Sequence, residues 1–173
     1  TSTNVITTGA AQSLLRSYRI NAGKEVLIAG NGPLNFQLAA ELLDNGAKII
    51  AVIEAAPNPF PYKAFNLLKS FFYDPKLMLQ GLAYILKLKI NRIPIIFKHH
   101  VTEVLDDNSL NVIISPILDG GELDFKNSLK FSADTLCVGY GFLSNNELPR
   151  ILGCDHEYTA PGDSTIICDN SGR

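Results

Sequence analysis

The sequence carries no excess of charge of one sign. Fifteen Lys and Arg face seventeen Asp and Glu, a net of −2 at pH 7. No general basic field is available to hold a phosphodiester backbone, which argues against nucleic acid as a partner. No apolar run approaches the ~18 residues that would span a bilayer, and no charged-then-apolar leader opens the chain, so the expectation is a cytoplasmic protein without a membrane span. Cysteine is scarce: Cys137, Cys154 and Cys168 are too few, odd in number and too far apart for a disulfide framework or a metal knuckle, and are read as reduced thiols. Methionine occurs once, at Met78, and the chain opens Thr1-Ser2-Thr3. We read it as a domain cut from a longer protein, or as a processed product.

What is present suits a soluble globular fold: 46% apolar and 18% charged residues over 173 positions, the size of one compact domain with one core. Ala11, Leu14, Leu15 and Tyr18 share a helical face in a lead-in helix from Thr8 to Ile20. Val26-Leu27-Ile28-Ala29 is the continuous apolar run of a parallel strand buried on both faces. After the tight turn Gly30-Asn31-Gly32-Pro33, Leu34, Leu38 and Leu42 recur at helical spacing. Asn45-Gly46 ends that helix, and Ala47 to Ile53 forms a second apolar strand closing at Glu54. The order strand, turn, helix, strand sets the class as α/β.

Between Pro57 and Asn91 the spacing predicts two helices, one with Ala64, Leu67, Leu68, Phe71 and Phe72 on its apolar face, the other with Met78, Leu82, Ile85 and Leu86. Lys63, Lys69, Lys76, Lys87, Lys89 and Arg92 form a basic surface there, either solvated or a docking face. Strand-like segments follow at Ile95–Phe97, Val101–Leu105, Leu110–Leu118 and Leu123–Phe125, with short loops that imply antiparallel neighbours. Thr135 to Val138 reads as a further buried strand running into Gly139-Tyr140-Gly141, and a short helix is expected from Asn146 to Leu152.

The glycine turn carries the chemistry. A dinucleotide's diphosphate needs backbone amides, a helix N-terminus and no obstructing side chains. Gly30 permits the sharp turn, Gly32 lets phosphates approach the backbone, and Pro33 sits where its missing N–H costs nothing. With Asn31 and Leu34 these residues form the expected binding turn. The alternative is a tight strand-to-helix turn with no ligand. The third glycine position holds Asn35, which we expect to loosen the fit of helix against strand or to move it slightly. Glu54 stands about where a carboxylate accepts adenine ribose hydroxyls, or else is a solvated strand end. Ala55-Ala56-Pro57 offers no arginine for a 2′-phosphate, which favours NAD over NADP.

The segments VLIAGNGPLNFQLAAELLDNGAKIIAVIEAAP (26–57), ADTLCVGYGFLSNNEL (133–148) and TTGAAQSLL (7–15) resemble the NAD domain of the pyridine nucleotide-disulfide oxidoreductase superfamily. More narrowly they are similar to the FAD-containing subunits of opine oxidases, hydrogen cyanide synthase and related amino-acid dehydrogenases. The resemblance covers nearly the whole chain and implies a Rossmann-like parallel sheet with flanking helices and an antiparallel β-meander, inserted between two halves of an FAD domain. It also implies that Gly139-Tyr140-Gly141 is a strand-end turn approaching the nucleotide; the alternative is an ordinary glycine-rich turn. The helical pair at 59–91 is an insertion relative to simple reductases.

Two departures bear on function. Gln37 stands where many relatives have a glutamate facing the nicotinamide, and no Cys-x-x-Cys occurs. The FAD fingerprints are missing from these residues, so FAD belongs to the parent protein and is not held here. The expected partners are a dinucleotide, the FAD domain of the same parent chain and further subunits of a dehydrogenase complex. No side chain is needed as acid or base, and His99, His100 and His156 lack metal-ligand spacing. The competing reading is a structural and assembly module that binds no NAD.

Overall fold

The computed structural model describes residues 4–58, 74–106, 109–142, 144–160 and 163–169. The chain divides into two compact units, residues 1–140 and 141–173. The first is built on a five-stranded parallel sheet, and a short strand that the sequence pattern does not reveal, β1 (Val5–Thr7), forms one edge. Thr7 caps the following helix α1 (Thr8–Tyr18), its hydroxyl accepting from the Ala10 amide at 3.1 Å. Then come β2 (Glu25–Gly30), α2 (Pro33–Asp44) and β3 (Lys48–Glu54). The helix α3 (Pro75–Ile90) and β4 (Ile95–Phe97) follow, and the last strand of the sheet is β8 (Thr135–Gly139). The strand order is β1-β8-β2-β3-β4, every neighbouring pair parallel.

A three-stranded antiparallel meander, β5 (His99–Asp106), β6 (Leu110–Pro116) and β7 (Leu129–Ala133), covers the other face. This unit thus has three layers: helices, parallel sheet and meander. The apolar run in β2 follows from this arrangement, because alternate residues face opposite layers. Val26 and Ile28 join Ala11, Leu15, Leu38 and Leu42 on the helical side. Leu27 and Ala29 join Leu110, Val112 and Ile114 on the meander side. The sequence suggests one core, but the central sheet divides the buried residues into two. Burial of each such Leu, Ile or Val is worth about 1.5–3 kcal/mol, so the central strands are held against solvent from both sides.

Four expectations need correction. Tyr18 is 69% exposed and does not join the apolar face of α1. In α3 the inward residue is Leu88, while Leu82 and Leu86 are exposed; the inward face runs along Met78, Gly81, Ile85 and Leu88, shifted around the helix from the face predicted. Leu123–Phe125 is not a strand: Leu123 makes one isolated bridge to Ile117, and a 3-10 turn occupies Phe125–Asn127. The third meander strand is β7 instead. Asn35, expected to loosen or slightly move the helix, is buried and bonds through its side chain to Thr8 of α1 and Gly139 of β8, so the position left by the missing glycine is filled and hydrogen-bonded. The first helix of the expected pair, with Lys63 and Lys69, lies outside the described residues; Lys87 pairs with Asp44 of α2.

The second unit holds the short helix α4 (Glu147–Ile151) and two antiparallel strands, β9 (His156–Ala160) and β10 (Asp163–Ile166). The Asn146 side chain ties helix to hairpin by donating to the Ser164 hydroxyl at 2.9 Å.

Candidate functional site

Ligands of open parallel sheets bind outside the carboxyl ends of the strands. Here β2 ends at Gly30, β3 at Glu54 and β8 at Gly139, and the register places Gly30 beside both others. The three strand ends therefore meet at one point. A hollow lined in part by Asn21, Lys24, Gly46 and Asp134 lies at the opposite, amino-terminal edge and plays no part in this site.

Gly30 is required by close packing. A Cβ built there would stand 2.0 Å from the Gly139 carbonyl oxygen. Gly32 is required by conformation, with φ 108° and ψ 175°, a region open essentially to glycine alone. A Cβ on Gly32 would meet nothing within 4 Å. Among the described residues other than its chain neighbours, nothing fills the space that a side chain at Gly32 would take. Pro33 opens α2 at its first position, and the helix cannot itself satisfy the amide of Leu34.

The inner face of the turn is closed. The Asn31 amide donates to the Gly139 carbonyl at 2.9 Å. The Gly32 amide donates to Glu54 Oε2 at 3.1 Å, and the Ala56 amide donates to Glu54 Oε1 at 3.1 Å. Glu54 is 2% exposed, and its bond to the Gly32 amide sets its carboxylate beside the N-terminus of α2, where negative charge is favoured. A carboxylate has about four lone-pair positions and these amides do not fill them all.

Asn35 at the third glycine position is 1% exposed. Its Nδ2 donates to the Gly139 carbonyl at 2.9 Å, and its Oδ1 accepts from the Thr8 hydroxyl at 2.9 Å. One side chain thus joins the starts of α1 and α2 to the end of β8. The sequence signal was the departure from glycine; its partners, 27 and 104 residues away, could not be read locally. Gln37 donates to Glu41 at 3.0 Å, within a cluster where Arg16 pairs with Glu41 at 2.5 Å. Burial would push the Glu41 carboxyl up, but Arg16 and Gln37 together hold it below its ordinary value.

Tyr140 leaves β8 and reaches the start of the meander. Its ring stacks on His100 with centroids 4.5 Å apart and planes at 22°, and its hydroxyl accepts from the Val101 amide at 3.3 Å. Burial pushes the phenol above its ordinary pKa, the Val101 N–H opposes this, and the negative charge of Glu54 adds to the rise. Glu54→Gln should therefore lower the Tyr140 titration, read as the phenolate absorbance difference between the protein and its Tyr140→Phe variant. An unchanged midpoint would refute the electrostatic link. Gly141 opens the second unit with φ 136°.

The Nδ1 atoms of His99, His100 and His156 each lie 2.6–2.7 Å from a backbone carbonyl, which only accepts, so each Nδ1 carries its proton. Among the described residues no group of three or more His, Cys, Asp or Glu is placed to hold a metal ion. The donor set fits a dinucleotide in one respect: a helix N-terminus with an open outer face stands beside a carboxylate. Its closed inner face is the opposing feature.

No family model matches the chain. It is 32% identical over 166 residues to the HcnB component of hydrogen cyanide synthase from Pseudomonas aeruginosa, covering 95% of this chain and 35% of that protein. It is 30% identical over 171 residues to one of the opine oxidase subunits of Agrobacterium tumefaciens, covering 98% of this chain and 32% of that one. The chain spans about a third of the length of these relatives. Among solved structures, thioredoxin reductase of T. acidophilum superposes with TM-score 0.58 at 15% identity, over 96% of this chain and 43% of the other. The HOCl-induced flavoprotein disulfide reductase RclA of Escherichia coli, in its Cu(II) complex, gives TM-score 0.60 at 17% identity, over 98% and 31%. The chain carries the fold of the pyridine nucleotide-disulfide oxidoreductases and is related in sequence to subunits of hydrogen cyanide synthase and opine oxidase.

Proposed function

We propose that the chain is the NAD(H)-binding domain of a larger FAD-dependent oxidoreductase. The observation that carries this reading is the glycine turn at the meeting of three strand ends, with its outer face open over Gly32 and Glu54 at its side. Gly32, Leu34 and the N-terminus of α2 would face the diphosphate. Glu54 would accept the adenine ribose hydroxyls through its remaining lone pairs. Gly139 and Tyr140 would border the nucleotide. The absence of arginine after β3 favours NAD over NADP. When bound, the nicotinamide would supply hydride exchange with a flavin held elsewhere in the parent protein. This chain's own residues bind and orient; none needs to move a proton.

One observation favours a second reading, a structural and assembly module that binds no dinucleotide. The Asn31 and Gly32 amides are already engaged, by Gly139 and Glu54. Calorimetric titration of the chain with NADH separates the two. Saturable binding that is lost in Glu54→Lys supports the first. Absence of heat at millimolar NADH supports the second.

A further inference from the structure

Two exposed cysteines, Cys154 and Cys168, flank the β9–β10 hairpin. Its ladder pairs Ser164 with Tyr158, Thr165 with Glu157 and Ile166 with His156. The next rung is formed beyond the strands proper, where the Ile167 amide donates to the Asp155 carbonyl at 3.0 Å. Extended by one more rung, this register would set Cys168 opposite Cys154.

The kind of rung matters. Antiparallel ladders alternate hydrogen-bonded and non-hydrogen-bonded pairs. Ile167 and Asp155 share a hydrogen bond, so a following Cys168–Cys154 rung would be non-hydrogen-bonded. Cys154 behaves as such a position requires: its amide donates to the Pro149 carbonyl at 3.0 Å, and its carbonyl accepts from His156 Nδ1 at 2.6 Å, neither toward Cys168. Non-hydrogen-bonded partners have Cα atoms about 4.5 Å apart and side chains on one face. A disulfide spans Cα separations of roughly 4.4–6.8 Å. Both thiols are free and exposed. Cys137 is the internal contrast, fully buried in β8 with its thiol pushed up to about 12 by desolvation.

We propose that Cys154 and Cys168 form a reversible dithiol–disulfide site that staples the base of this hairpin. The oxidant is a low-molecular-weight disulfide such as oxidised glutathione. One cysteine thiolate attacks a glutathione sulfur, the glutathione S–S bond breaks and one glutathione thiolate leaves. The second cysteine attacks the protein-side sulfur of the mixed disulfide, forming the Cys154–Cys168 bond and releasing the second glutathione. The two cysteines lose two electrons, the glutathione disulfide gains them, and the two thiol protons end on the departing glutathiones.

The test equilibrates the 173-residue chain in glutathione redox buffer, quenches it with acid, and reads thiol number, intact mass and linked peptides. We expect loss of two of the three thiols, a mass change of two hydrogens with no glutathione attached, a Cys154–Cys168 linked peptide, and full reversal by dithiothreitol. Cys154→Ser and Cys168→Ser should each take up one glutathione at the remaining exposed cysteine and form no internal bond. Circular dichroism of the two variants checks that the fold is kept. A wild-type chain that carries two glutathiones, keeps all its thiols free, or links through Cys137 overturns the proposal.

Discussion

Gly30→Ala should cost about 3–5 kcal/mol of folding free energy, whereas Gly32→Ala should cost only about 1–3 kcal/mol and act on ligand binding instead. At position 30 the added methyl would lie 2.0 Å from the Gly139 carbonyl oxygen and 2.4 Å from its carbon. Both are backbone atoms of the adjacent strand. Relief therefore means parting β2 from β8 at the centre of the sheet, not turning a side chain. For a chain of this size such a loss lowers Tm by roughly 6–20 °C. At position 32 nothing lies within 4 Å, so the cost is the strain of an L-residue at φ 108°. The methyl would project from the open outer face of the turn, where a diphosphate would sit. If the domain binds NADH, Gly32→Ala should weaken it at least about tenfold, or about 1.4 kcal/mol, at a temperature where the fold is intact. Thermal unfolding and NADH calorimetry on both variants check this. Equal destabilisation by the two alanines would contradict the packing account. NADH binding by Gly32→Ala as tight as wild type would remove the turn from the binding site.

Much of the central sheet was legible because its signals are local. The β2 run and the Gly30-to-Pro33 turn need only nearest-neighbour rules, and the strand closing at Glu54 follows from its apolar content. The face of α3 was misread because the helix is apolar nearly all round: Leu77, Leu79, Leu82, Leu86 and Ile90 are exposed along with the charged residues. When apolar residues occupy more than one stripe, periodicity cannot choose the stripe that meets the sheet. The β9–β10 hairpin was missed because His156–Ala160 and Asp163–Ile166 are short and the first carries a single β-branched residue. Without that hairpin, nothing in the spacing relates Cys154 to Cys168. The candidate site was legible as a set of residues but not as a set of bonds. Position 54 was placed at the crevice by spacing, yet its engagement with the Gly32 amide depends on how β2 and β3 register.

Asn35→Asp should turn a nearly isosteric change into a pH-dependent loss of stability. The wild-type side chain donates to Gly139 and accepts from Thr8 at the same time, in a place 1% exposed. A carboxylate could still accept from the Thr8 hydroxyl. It could not donate to the Gly139 carbonyl unless protonated, and as an anion it would face that oxygen directly, with desolvation adding to the cost. Both effects raise the folded-state pKa of the new carboxyl above its unfolded value of about 3.9. A raised carboxyl pKa means that the folded state binds more protons, so stability falls as pH rises from the unfolded value toward the folded one, by up to about 1.4 kcal/mol per pH unit. At pH 4 the variant should be near wild type; at pH 7 it should have lost about 3 kcal/mol or more. Asn35→Gly restores the usual glycine and supplies the control. It strands the Thr8 hydroxyl and removes one donor from Gly139, a cost of about 1–3 kcal/mol that does not depend on pH. Urea denaturation of both variants across this range isolates the titration as the difference between them. A constant difference from pH 4 to pH 7 would show that position 35 does not sit between a donor and an acceptor, and the bridge between the two helix starts and β8 would fall with it.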